Sequence, residues 1–201
     1  MFDRAGNPVA DALVIVAKGP ENFRAMREGA RAGKSTESIT LATTNSDGLG
    51  RFTVTLQVDA LDDWPAPALS LWVVRDGFSL EVRRLAADWP GVAPLRLTLA
   101  PTERVDLRLA APDGIPAAGA SVTPEWVRGA LVPADLAERL RVTVGDDANA
   151  SMSGVKPGDL KTIRVQTGSY GTQWLAMPNT PAKRATLSLV AVGQISGHIA
   201  G

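Results

Sequence analysis

The chain repeats itself, and that repeat limits what it can fold into more than any other feature. Gly6-Asn7-Pro8-Val9-Ala10-Asp11-Ala12-Leu13-Val14 returns as Gly114-Ile115-Pro116-Ala117-Ala118-Gly119-Ala120-Ser121-Val122, a shift of 108 residues. Further matches follow in the same order at smaller shifts. Thr44-Asn45-Ser46-Asp47-Gly48 falls on Val144-Gly145-Asp146-Asp147-Ala148 at 100, Gly77-Phe78 on Ser169-Tyr170 at 92, and Leu97-Thr98-Leu99 on Leu187-Ser188-Leu189 at 90. A shift that slides while the order holds is one unit written twice with loops of unequal length. Val105-Asp106-Leu107-Arg108-Leu109 then maps onto Ile195-Ser196-Gly197-His198-Ile199, again at 90, as the start of a third unit. The same arithmetic leaves the first unit without most of its own first strand. The chain therefore reads either as a window on a longer array or as an incomplete first unit after a true start.

Within each unit the periodicity is that of strands. Segments 13–16, 52–56, 69–74, 95–99, 105–109, 163–167 and 186–189 are strand-like, and several alternate apolar and polar residues as half-buried antiparallel strands do. Glycine, proline and aspartate punctuate them, which points to β-sandwiches. One short helix is expected after the second strand of each unit. The first covers 21–28, between Pro20 and Gly29; the second covers 134–141, after Pro133.

The segment from Asp3 to Val14 carries the pattern Asp-x-x-Gly-x-Pro-Val-Ala-x-Ala-x-Val, followed by Asp47-Gly48, Phe52 and Gly77-Phe78. It resembles the carboxypeptidase regulatory-like domain, a transthyretin-like seven-stranded sandwich, and is similar to collagen-adhesin B-type repeats. In the second unit the Asp-Gly-x-Phe turn is replaced by Asp146-Asp147-Ala148-Asn149-Ala150. The resemblance implies tandem non-catalytic modules of extracytoplasmic bacterial proteins, attached to enzymes, transporters or adhesion arrays. It implies an all-β fold of two Ig-like antiparallel sandwiches: residues 1–101, with the first strand largely missing, and 102–190, with 191–201 opening a third.

Composition excludes much chemistry. There is no cysteine, which removes disulfides and thiolate zinc sites, and one histidine, His198, which cannot build a histidine metal site. Lysine plus arginine and aspartate plus glutamate number 21 each, so nothing draws the chain to nucleic acid. No stretch reaches the ~20 apolar residues of a membrane-spanning helix, and residues 1–6 do not form a signal peptide. No Gly-x-Ser-x-Gly elbow or phosphate-binding loop occurs. No catalytic, cofactor or metal residue is expected.

The remaining candidates are surface groups. Five tryptophans, Trp64, Trp72, Trp89, Trp126 and Trp174, could form a carbohydrate platform, or cap sandwich ends and anchor loops. Trp72 falls on the opposite face from Leu71 and Val73. The turns at Asp47 and Asp146-Asp147 lack the ligand spacing of a calcium loop and read as side chains bonding their own backbone. Arg24, Arg27, Arg31 and Lys34 form a basic stretch that reads as a solvated helix face and loop. The expected partners are other domains of the parent chain, or a protein or glycan ligand. The tail from Ile195 to Ile199 could also fill the first unit's missing strand in a neighbouring molecule, giving head-to-tail oligomers.

Overall fold

The computed structural model describes residues 1–31, 38–56, 68–85, 94–112, 117–179 and 183–191. In chain order the elements are β1 (Leu13–Gly19), α1 (Phe23–Arg31), β2 (Ile39–Asn45), β3 (Ala68–Val74), β4 (Glu81–Leu85), β5 (Arg104–Ala110), β6 (Ser121–Val127), β7 (Ala130–Leu131), α2 (Ala134–Arg139), β8 (Val142–Thr143), β9 (Asn149–Ser153), β10 (Leu160–Thr167), β11 (Gly171–Ala176) and β12 (Arg184–Ser188). The chain is all-β with two short helices.

Three sheets result. The first runs β2-β1-β3-β4 and is antiparallel throughout. The second runs β11-β10-β6-β7, with β8 also paired to β6, and the third runs β12-β5-β9. In the third sheet β5 and β12 are parallel while β5 and β9 are antiparallel. No ladder among the described residues joins a strand before Ala100 to one after it.

The central strands of the first sheet, β1 and β3, are buried on both faces. Cross-strand register sets Ile15 beside Trp72 and Trp72 beside Val82 on one face, and Val14 beside Val73 and Val16 beside Leu71 on the other. The second row joins Met1, Val9, Ala12, Leu97 and Leu99 in a compact cluster, with Phe52, Val54 and Leu56 packed on it. The first row belongs to a larger continuous cluster. Ile15, Ala17, Trp72, Leu80 and Val82 are united there with Val122, Val127, Leu136, Ile163, Val165 and Leu187 from the later strands. Apolar burial is therefore continuous between strands before and after Ala100.

Several backbone hydrogen bonds before Ala100 have counterparts in the same order after it. Leu99 N donates to Phe2 O (2.8 Å), as Leu189 N donates to Ala110 O (2.8 Å). Asp11 N donates to Ser46 O and Ser46 N to Ala12 O (3.0 Å each), as Gly119 N donates to Val144 O and Val144 N to Ala120 O (2.9 Å each). Asp47 N donates to Arg51 O and Gly50 N to Asp47 O, as Gly145 N donates to Asn149 O and Ala148 N to Gly145 O. These bonds set residue 46 against residue 144, a shift of 98 rather than the 100 read from the residue types. The reason is conformational. The left-handed position of this turn is Gly50 (φ +68°) in one half and Ala148 (φ +61°) in the other, so the glycine that residue matching would align is not the residue the turn requires.

Two expected strands form no ladder. Residues 52–56 alternate exposed and half-buried side chains yet form no ladder among the described residues, and of 95–99 only Thr98 makes a bridge there, parallel to Phe2. In the later half the matching segments, β9 and β12, flank β5 and pair with it. The first helix also departs from expectation. It starts at Phe23, where Asn22 Oδ1 accepts from Ala25 N (2.9 Å) as an N-cap, and continues through Gly29 to Arg31. The second ends at Arg139, with Leu136 and Ala137 buried.

Trp72→Ala is expected to cost about 3–5 kcal/mol, the range for emptying a large buried aromatic site. Because its cluster spans both halves, calorimetry should show one common transition moving down; two separate transitions would contradict a continuous core.

Candidate functional site

The tryptophans sit in unlike surroundings. Trp72 is fully buried; its Nε1 donates to Ser70 Oγ (2.8 Å), and Ser70 Oγ donates to Ala17 O (3.4 Å). Trp126 is buried too, and its Nε1 has no acceptor among the described residues. A ring with no accessible face has none to offer a sugar. Trp64 and Trp89 lie outside the described residues. Trp174, on edge strand β11, is 50% exposed. Its Nε1 donates to Glu125 Oε1 (3.2 Å), and Glu125 Oε2 lies 3.8 Å from Arg164 Nε. Arg164 is the direct cross-strand partner of Trp174 and also donates to Thr123 Oγ1 (3.3 Å). Of the five, Trp174 is the described tryptophan with an open face and charged neighbours beside it.

The acidic turns bond to themselves. Asp47 Oδ1 accepts from Leu49 N (2.9 Å) and Arg51 N (2.8 Å), and Oδ2 from Arg51 Nε (3.2 Å). Asp147 accepts from Asn149 Nδ2 (2.8 Å) and Asn149 N (3.1 Å). Asp3 accepts from the backbone of Ala5 and Asn7 (2.8 Å each) and from Asn7 Nδ2 (2.9 Å). These bonds hold all three carboxyls below the usual carboxylate range. The Asn7 side chain leads at Asp3, the Arg51 backbone N–H at Asp47 and the Asn149 side chain at Asp147. In the basic stretch, Arg24 pairs with Glu28 (2.8 Å) on an exposed face, while Lys34 lies outside the described residues.

A charged seam that sequence reasoning missed joins the halves. Glu81, on β4, has a side chain only 6% exposed. Its Oε1 lies 3.0 Å from Arg128 Nη1 and 3.2 Å from Arg83 Nε, and its Oε2 lies 3.4 Å from Lys156 Nζ. Arg128 sits in the β6–β7 turn and Lys156 between β9 and β10, so one buried carboxylate gathers cations from three places. The linker beside it is bonded in turn. Ser79 N donates to Ala100 O (2.9 Å), Thr102 N to Gly77 O (3.0 Å) and Leu80 N to Gly154 O (2.6 Å). Glu103 N donates to Ser79 Oγ (2.9 Å).

The third feature is the bonding of the first two residues. The buried N-terminal amine of Met1 donates to Gly50 O, the bond that Leu109 N makes to Ala148 O (2.9 Å). Phe2 N donates to Leu97 O (3.0 Å) on the other side.

No family model matches the chain, and no curated protein matches it, so the motif at residues 3–14 finds no matching family model. Among solved structures it is similar to the minor pilin of the Gram-positive pathogen Streptococcus agalactiae, at 12% identity and a TM-score of 0.32, covering 96% of this chain and 89% of that chain. A shaft pilin from Lactobacillus rhamnosus GG is 11% identical with a TM-score of 0.30, covering 94% and 91%. A streptococcal ancillary pilin is 11% identical with a TM-score of 0.29, covering 94% and 60%. At these scores the likeness carries neither fold nor function over, and the all-β architecture stands on this chain's own strands.

The depressed carboxyls give a pH dependence of definite sign. Their contribution to stability is full above the unfolded carboxylate pKa of about 3.9 and is lost as pH falls through their lower folded values. Asn in place of Asp47 cannot titrate. The native chain should therefore be more stable than Asp47→Asn at neutral pH, and thermal melts should show that difference shrinking below the carboxylate range.

Proposed function

We propose that the chain is a non-catalytic structural module: two copies of one sandwich unit, residues 1–101 and 102–190, held at a fixed angle, with 191–201 opening a third. The observation that carries this reading is the single apolar cluster running from Ile15 to Leu189 through both halves. The repeated backbone bonds, Leu99 to Phe2 and Leu189 to Ala110 among them, support the two-copy division. The motif resemblance supports the regulatory-like assignment and an extracytoplasmic setting. Its partners would be further units of a parent chain, of which an enzyme could be one, or a protein that docks on the array.

A spacer differs from a flexible tether in transmitting orientation. Here apolar contact excludes water between the halves, the Glu81 seam fixes their rotation, and the linker bonds remove slack. Glu81→Ala takes the carboxylate from Lys156 and leaves Arg128 with Asp159 alone (3.7 Å). Both cations are partly exposed, so solvent screens the loss, and the expected cost is about 1–2 kcal/mol rather than the full penalty of breaking a buried pair. Small-angle scattering should fit one compact rigid shape for the native chain and a broadened distance distribution for Glu81→Ala. A native profile that requires many inter-unit angles would refute the spacer reading.

The exposure of Trp174 beside Glu125 and Arg164 favours a second reading, a carbohydrate-binding face on the second sheet. An aromatic plane flanked by charged hydrogen-bonding groups suits a sugar's apolar face and its rim hydroxyls. Wild-type binding on a glycan array, lost in Trp174→Ala with an unchanged melting temperature, is the expected result. Absence of polysaccharide binding by the native chain at millimolar concentration would dismiss this reading.

A further inference from the structure

We propose that the outer face of the third sheet binds an acidic carbohydrate, a chain of uronic-acid sugars. Its carboxylates would meet arginines, and its hydroxyls the polar groups between them. The site is separate from Trp174, which stands on the second sheet, and it needs neither of the readings above.

Alternation builds this face. On β5, Val105, Leu107 and Leu109 are buried, so Arg104, Asp106 and Arg108 point outward. The same period turns Ala185 and Leu187 of β12 inward and Arg184 and Thr186 outward. On β9 it turns Ala150 and Met152 inward and Asn149 and Ser151 outward. Register then sets two rows across the sheet: Arg184, Asp106 and Ser151 in one, Thr186, Arg108 and Asn149 in the next. They line an open hollow of about 490 Å³ with no aromatic side chain in it.

Charge on this face is unbalanced. Asp106 stands at the centre, with Arg104 and Arg108 two residues to either side and Arg184 directly across on β12. Arg104 and Arg108 are four strand residues, roughly 13 Å, apart. Asp106 Oδ1 accepts from Ser151 Oγ (2.9 Å) and lies 3.5 Å from Arg104 Nε. Asp147, at the margin, is occupied by Asn149, whose N and Nδ2 both donate to it (3.1 and 2.8 Å). Arg108 and Arg184 are exposed, and neither forms an ion pair among the described residues. Two guanidinium forks therefore face solvent in one hollow without a carboxylate to hold.

The surroundings select the kind of anion. The backbone groups of β5 are spent in ladders on both sides, so an acidic peptide lying on this face gains no strand partner for its main chain. A uronic-acid chain needs none. Its carboxylates take Arg108 and Arg184, and its ring hydroxyls can donate to Asp106 Oδ2 and bond with Ser151, Asn149 and Thr186. Asp106 at the centre repels a plain polyanion but serves a ligand that carries hydroxyls beside its charges.

The test is calorimetric titration of the full chain with a defined oligogalacturonate at low salt. Saturable binding is expected, and salt near 1 M, where the screening length falls to ~3 Å, should abolish it. Arg108→Gln combined with Arg184→Gln should weaken binding at least about tenfold with an unchanged thermal transition, whereas Arg139→Gln on α2, outside the face, should change it less than about twofold. The methyl-esterified oligomer keeps its hydroxyls but loses its carboxylates, and should bind at least about tenfold more weakly. Poly-glutamate of matched charge should also bind more weakly than the oligogalacturonate. Trp174→Ala should leave the affinity unchanged. The inference is overturned if the oligogalacturonate does not bind, if the double variant or the esterified oligomer binds equally well, or if poly-glutamate binds as tightly. Loss of binding in Trp174→Ala also overturns it, and supports the Trp174 face instead.

Discussion

Everything in this molecule depends on two adjacent strands, β1 and β3, that have no solvent face. Strands β1 and β3 bury Val14, Val16, Leu71 and Val73 in one layer and Ile15, Ala17 and Trp72 in the other. An antiparallel sheet usually keeps one face wet. Here the later strands cover the second face, so neither half can leave without exposing apolar area of the first sheet. The hydrophobic effect that folds each half thus also sets the halves together.

Apolar contact alone is non-directional, and direction comes from polar groups at its margin. Glu81 is a buried carboxylate that would be costly alone. Arg83 from its own strand and Arg128 and Lys156 from the later half surround it. Such a cluster adds little net stability, since desolvation offsets much of the attraction, but it penalises any rotation that leaves the carboxylate unmatched. The bonds from Ser79, Thr102 and Glu103 act in the same way on the linker.

Much of this could be read from the residues, and what could not has identifiable causes. The positions of β1, β3, β5, β10 and β12 and the locations of both helices follow from period and punctuation. The shared core was also signalled, though not recognised: Leu13-Val14-Ile15-Val16-Ala17 is continuously apolar, whereas Val105-Asp106-Leu107-Arg108-Leu109 alternates. A continuous run is the mark of a strand covered twice. Alternation placed Trp72 opposite Leu71 and Val73, but which element covers Trp72 is long-range information. The same limit hid the seam, because Arg128 and Lys156 lie 47 and 75 residues beyond Glu81. Segments 52–56 and 95–99 have strand character without strands, since a ladder needs a neighbour as well as a pattern. Gly29 did not end its helix, as a glycine inside a helix costs only about 1 kcal/mol.

The pairing of β5 with β12 has a mechanical consequence. They are the first and last strands of the later half, they are adjacent, and they run parallel over five residue pairs, Arg184 beside Asp106 through Ser188 beside Ala110. A force entering ahead of β5 and leaving after β12 pulls these neighbours past each other along their length. All the cross-strand bonds then resist at once, in shear, instead of opening one at a time like a zipper. A unit wired in this way is suited to bearing tension along a chain, and its lifetime under load is governed by the unfolding rate rather than by its equilibrium stability.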